Sequence, residues 1–135
     1  MKNQLSPLTE ISYSLLRLVA GALFAFHGLQ KIFGVLSDQP SPAVGSQIWI
    51  GGVIELVCGA AIAVGLFTSL AAFLASGTMA VAYFQFHWMM RFDQNFFPAI
   101  NQGEPAVVYC FLFLFIACRG GGAWAFDGRT RAQGS

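Results

Sequence analysis

The sequence predicts an all-α integral membrane fold, a four-helix bundle with both termini on the same side, and three observations carry that expectation. Hydrophobic residues make up 56% of the 135-residue chain and charged ones only 10%, against roughly 25% charged in ordinary soluble domains. Too few charges remain to clothe a water-soluble fold of this size. The apolar residues gather into four runs, each near the ~20 residues that a helix needs to cross a hydrocarbon core about 30 Å thick. Breaker-rich segments separate the runs, and the length of the chain leaves no room for a second sizeable core, so residues 1–135 are expected to form a single transmembrane domain.

The first run extends from Ile11 to Phe33. It is too long for the core of a signal peptide, carries Arg17, His27 and Lys31, and has no small-x-small cleavage site behind it. It is expected to stay attached as a helix. Pro40, Pro42 and Gly45 make Gly34 to Ser46 an irregular loop. The second run, Gln47 to Leu66, is separated from the third, Ser69 to Met89, by little more than Phe67 and Thr68, which implies antiparallel neighbours. A polar stretch through Arg91, Asp93, Asn95, Pro98, Asn101 and Gly103 leads to the fourth run, Glu104 to Arg119, where Pro105 suits a first helical turn. That run is short for a bilayer; an earlier start or a locally thinned membrane would accommodate it. The glycines Gly120 to Gly122 should end the helix, and the indole of Trp124 suits the headgroup region.

Lys and Arg set the expected orientation. Lys2, Arg119, Arg129 and Arg131 flank the termini, while the other side has Arg91 and, at a helix end, Lys31. Both termini are therefore expected in the cytoplasm, with the chain multi-pass in a bacterial inner membrane. A net charge of +1 with scattered cations excludes the broad basic field that nucleic-acid binding needs. Cys58, Cys110 and Cys118 form neither a CxxC pair nor a metal-ligand spacing, and read as buried, inert thiols. No phosphate loop or nucleophile elbow occurs, and His27 and His87 alone are a thin basis for bis-histidine haem.

Helices in lipid associate through close packing and polar contacts, so small residues mark contact faces. Gly51, Glu55 and Gly59 recur at intervals of four, with Gly52 and Ala63 adjoining, which places a carboxylate in a glycine-lined stripe facing another helix. Ala72, Ser76 and Ala80 on the third run, and Gly21, Ala25 and Gly28 on the first, follow the same rhythm. The fourth run has Phe111 to Phe115, bulky all round, and is expected to touch lipid over much of its surface. Spare glycine faces would also permit a homodimer.

An ionisable group in the middle of a bilayer costs about 2.5–3.5 kcal/mol or more, so each needs a partner or a purpose. They are Arg17, His27, Lys31, Glu55, His87 and Glu104. His27 and Lys31 lie one turn apart, and Glu55 lies eight residues after Gln47, about 12 Å along the axis. All but Arg17 fall toward the outer side. One reading is a polar pocket in the outer half of the bundle, with Glu55 and His27 handling protons and Lys31, His87, Glu104 and Arg17 contacting a ligand. The other is that Lys31, His87 and Glu104 snorkel to the interface while Glu55 pairs with Arg17 or His27 for packing. Arg17 also suits a structural counter-ion to an inward carboxylate. Phe24, Phe26, Tyr83, Phe84, Phe86 and Trp88 would suit a flat apolar ligand such as a quinone ring, and ordinary lipid contact equally well.

From Arg17 to Asp127 the chain resembles the DoxX family of small bacterial membrane proteins. The resemblance is carried by RLVAGALFAFHGLQK at Arg17 to Lys31, GGVIELVCG at Gly51 to Gly59, NQGEPAVVY at Asn101 to Tyr109 and GGGAWAFD at Gly120 to Asp127. It matches the family's His-Gly pair and following Lys at His27, Gly28 and Lys31; Ala125 stands where the family's closing stretch usually has Ser, so a role for that hydroxyl does not carry over. The resemblance implies a four-span bundle and a link to redox chemistry, since relatives are described as subunits of thiosulfate:quinone oxidoreductase or partners of oxidative-stress proteins. The residues themselves assign no cofactor; the resemblance makes quinone a candidate, and a soluble or membrane redox partner would then be the electron source, because the chain has no recognisable redox centre. A non-catalytic membrane anchor or assembly partner is the alternative, and a conduit for protons or a small solute is a weaker third.

Overall fold

The computed structural model describes residues 5–128. Lys2, Arg129 and Arg131, which entered the orientation argument, lie outside the described residues. The described chain is helical, with no strand. Its helices are α1 (Thr9–Phe33), α2 (Gln47–Val64), α3 (Thr68–Ala82), α4 (Pro98–Asn101) and α5 (Glu104–Arg119). A wider π-helical turn, Tyr83–Trp88, continues α3 without a break.

Three of these segments are long and apolar enough to cross a membrane: Ser6–Phe33, Gln47–Val64 and Thr68–Trp88. At 16 residues, α5 rises about 24 Å and falls short of that length. Large apolar side chains are nonetheless exposed on every long helix, among them Val19, Val57, Phe73 and Phe111, the last two at 62% and 66%. A continuous apolar exterior of that kind suits lipid and not water.

Helix ends follow local chemistry. Gly34 and Gly65 adopt the left-handed conformation after α1 and α2 and close their last turns. Ser46 caps α2 by accepting from the Trp49 backbone amide. The residue before α3 is Phe67, whose side chain offers no acceptor, so the cap comes from elsewhere in the chain. The carboxylate of Asp127 accepts from the Phe67 amide at 2.8 Å and the Thr68 amide at 2.7 Å.

α1 packs on α2, and α3 on α5. A Cβ added at Gly28 would lie 2.6 Å from the Gly52 carbonyl oxygen, and one at Gly21 would lie 2.7 Å from that of Gly59, so here the two backbones touch. Phe24, Phe113, Ile62, Ala72 and Ala75 fill the core between the pairs, and Ser76 ties α3 to α5 by donating to the Cys110 carbonyl at 2.7 Å. The run Phe111 to Phe115 is less uniform than its composition suggests: Phe111 and Phe115 face outward, while Phe113 is fully buried against Phe24.

Candidate functional site

The close approach of α1 and α2 sets the first part of the site. With hydrogen as its only side chain, Gly28 lets α1 press onto α2, and Lys31, one turn further on, comes to lie over Gly52. Its side chain runs on along α2 until Nζ donates to Glu55 Oε1 at 2.6 Å. Glu55 is only 2% exposed, whereas the Lys31 side chain is 39% exposed. The second carboxylate oxygen, Oε2, is buried with no hydrogen-bond partner.

Glu55 and Lys31 stand on the wall of a groove of about 600 Å³ between α2 and α3. Ile50, Ile54, Phe73, Val81 and Phe86 give most of the groove an apolar lining. Gly51 and Gly77 form bare stretches, since a Cβ on either would meet nothing within 4 Å. Gln47, Thr78 and His87 join Lys31 and Glu55 as polar groups of the lining, with the Gln47 amide donating to Gln85. Thr78 Oγ1 donates to the Leu74 carbonyl at 2.9 Å.

His87 is placed by the π-helical turn and the loop behind it. Asn95 Nδ2 donates to the carbonyls of His87 and Trp88, both at 2.8 Å, and so takes up groups that the end of the helix leaves open. Asn101 Nδ2 in turn donates to the Asn95 carbonyl at 2.8 Å. The Asn101 carbonyl oxygen lies 3.1 Å from His87 Nδ1, and Tyr83 stacks on the imidazole. A π-helical turn in such a place is a frequent mark of functional sites.

The six ionisable residues singled out from the sequence do not form one cluster. Glu55, Lys31 and His87 line the groove. His27 is exposed on α1 and takes no part in the lining, because the edge of α1 that carries Gly28 and Lys31 is the one pressed on α2 and His27 sits about 100° around the axis from Gly28. Glu104 is exposed in the first turn of α5, where its charge suits the helix dipole.

Arg17 is at the opposite end. Only 2% exposed, it donates from Nη1 to the carbonyls of Ile62 at 2.5 Å and Ala63 at 2.8 Å, and from Nη2 to that of Trp124 at 3.3 Å. These bonds complete the C-terminal end of α2, so Arg17 serves backbone carbonyls two turns beyond Glu55 and not Glu55 itself. Asp127 adjoins this end. Burial pulls its carboxyl upward, but the hydrogen bonds from Thr68 and Phe67 and the Arg17 charge outweigh that and hold it below the usual carboxylate range. The glycine stripe of α2 divides as well: Gly52 and Gly59 meet α1, while Gly51 opens on the groove. Sequence reasoning missed Thr78, Asn95 and Asn101, polar residues with no periodic signature.

Taken together, an all-helical chain with three membrane-length apolar segments and a half-buried ion pair beside a groove defines a small helical membrane protein. A family model described as DoxX matches residues 12–88, and the chain belongs to that family. It is also 37% identical over 130 residues to an uncharacterized protein of Haemophilus influenzae, an alignment that covers 94% of this chain and 96% of the relative. No solved structure matches it significantly.

Proposed function

We propose that this protein is a multi-pass inner-membrane component of a quinone-linked or oxidative-stress-related redox system, and that the groove between α2 and α3 holds the ring of a membrane-soluble ligand. The observation that carries this reading is Glu55 Oε2, a buried carboxylate oxygen without a partner on the wall of a 600 Å³ groove. A group of that kind is costly to bury, and a ligand that pairs with it removes the cost. Glu55 handles protons in this reading, Lys31 and His87 orient the polar head, and Phe73 and Phe86 pack against the ring. The redox assignment draws on the resemblance to relatives described as quinone oxidoreductase subunits; electrons come from a soluble or membrane partner.

In this reading α5 is the fourth span, in membrane thinned to its length, and both termini are cytoplasmic, as the Lys/Arg distribution favours. Impermeant thiol labelling in a cysteine-free background tests the orientation: a cysteine at Ser37 should react in intact cells, and one at Ser135 only after permeabilisation. The ligand reading is tested by purifying the chain in mild detergent and identifying co-extracted lipids by mass spectrometry. A quinone should be retained by the native chain and lost from Glu55→Gln; equal retention by both would remove Glu55 from the site. If Glu55→Gln carries no quinone and cells that depend on it are unaffected, the chain is an assembly partner instead.

A further inference from the structure

Glu55 Oε1 accepts from Lys31, so the charge of the carboxylate is compensated while Oε2 keeps its lone pairs. An ionised carboxylate only accepts hydrogen bonds. Thr78 commits its hydroxyl proton to the Leu74 carbonyl, which leaves that oxygen as an acceptor too. His87 Nδ1 faces the Asn101 carbonyl oxygen, a group that also only accepts; the proton of the neutral ring is therefore on Nδ1, and Nε2 is the third acceptor. All three residues line the same groove. Gln47, which also lines the groove, donates from its amide to Gln85 two turns of α2 before Glu55; beside Glu55 the donor is Lys31, whose ammonium has protons beyond the one given to Glu55.

This polarity discriminates between two states of a ring. A hydroxyl donates to Glu55 Oε2 and accepts from Lys31 Nζ at once. A ring carbonyl accepts from Lys31 but leaves Oε2 both dehydrated and unpaired. The ion pair is neutral overall, so the head it receives is uncharged, and Phe73, Phe86 and the bare backbone at Gly51 and Gly77 leave space for a flat ring with an apolar tail. We propose that the groove binds the reduced, dihydroxy form of a lipid-soluble aromatic ring, a hydroquinone, in preference to the corresponding quinone. This deepens the proposed function and rests on its reading that the groove holds such a ring. A site that binds the reduced form tenfold more tightly raises the two-electron midpoint potential of the bound ring by about 30 mV.

The test is titration calorimetry on the full chain in detergent micelles under argon, with empty micelles as reference. The probes are a short-tailed benzohydroquinone, its quinone, its dimethyl ether and a monoacylglycerol of equal chain length. The hydroquinone should bind at least about tenfold more tightly than the quinone or the ether, which lack the donor. In Glu55→Gln, whose carboxamide both donates and accepts, the difference should shrink to about threefold or less. Equal affinities for hydroquinone and quinone in the native chain would overturn the preference and leave ring binding standing. Failure of both rings to bind would overturn the two together, and a monoacylglycerol as tight as the hydroquinone would overturn the aromatic head. The comparison in the native chain holds whether or not the variant folds.

Discussion

Lys31 and Glu55 are joined at 2.6 Å beside the place where α1 and α2 touch backbone to backbone, with one partner reaching toward the surface and the other enclosed. The two ends of this ion pair are therefore unequal. Lys31 keeps part of its surface open while making it. Glu55 has lost nearly all of its water and depends on the ammonium for one oxygen while the other has nothing.

That inequality predicts an ordering of variants. Lys31→Met leaves an uncompensated carboxylate in the protein interior and should lower stability by about 1–3 kcal/mol. Glu55→Gln removes the charge itself and should cost less. Lys31→Met combined with Glu55→Gln should be more stable than Lys31→Met alone. Thermal unfolding in one detergent at neutral pH reads all three; a double variant no better than Lys31→Met would mean that the carboxylate is not what the lysine protects.

Glycines of one helix should respond in opposite directions. Gly59→Ala would push a Cβ into the Ala25 backbone and to within 2.8 Å of the Gly21 carbonyl oxygen. Neither backbone can yield without separating α1 from α2, so a loss of about 1–3 kcal/mol is expected. Gly51→Ala meets open space and should stabilise α2 by roughly 0.5–1 kcal/mol through helix propensity. It also narrows the groove, so ligand retention should fall as the melting temperature rises.

These two glycines also mark how far the sequence could be read. The apolar runs and the breakers between them were legible because run length and composition are enough to place such helices. The glycine stripe of α2 was legible in kind, but Gly51 and Gly52 are neighbours in sequence, and only the crossing of α1 assigns one to a helix contact and the other to the groove. The same crossing separates His27 from Lys31, which spacing alone puts on one face. His87 depends on a π-helical turn and on Asn95 and Asn101, whose bonds within the following loop leave no trace in periodicity. Arg17 and Asp127 work on backbone groups about 45 and 60 positions away, a relationship that composition does not reveal.

Asp127 makes stability depend on pH in a stated direction. Its folded pKa is lowered, so its contribution is fully present above the unfolded value of about 3.9 and is lost as pH falls from there through the folded value. Asp127→Ala deprives α3 of its cap and should cost about 0.5–2 kcal/mol at neutral pH. Unfolding temperatures of the native chain and Asp127→Ala, measured from pH 7 down to pH 3, should converge at the acid end. Curves that stay parallel would show that the carboxylate charge does not matter to the cap.

Arg17 holds the same end of the molecule from the other side. Its guanidinium reaches the Ile62, Ala63 and Trp124 carbonyls together, a span that follows from its planar fork of donors. Arg17→Met takes the guanidinium bonds from those carbonyls, of which Ile62 keeps the longer bond from the Gly65 amide, and removes a positive charge near Asp127; a loss of about 1–3 kcal/mol is expected. Arg17→Lys keeps the charge but has a single nitrogen in place of the fork, so it should recover only part of that loss. Because Arg17 stands two turns of α2 away from Glu55, both variants should bind a ring in the groove with native affinity once folded. A loss of ring binding in folded Arg17→Lys, seen by the same calorimetry, would place Arg17 in the ligand site after all.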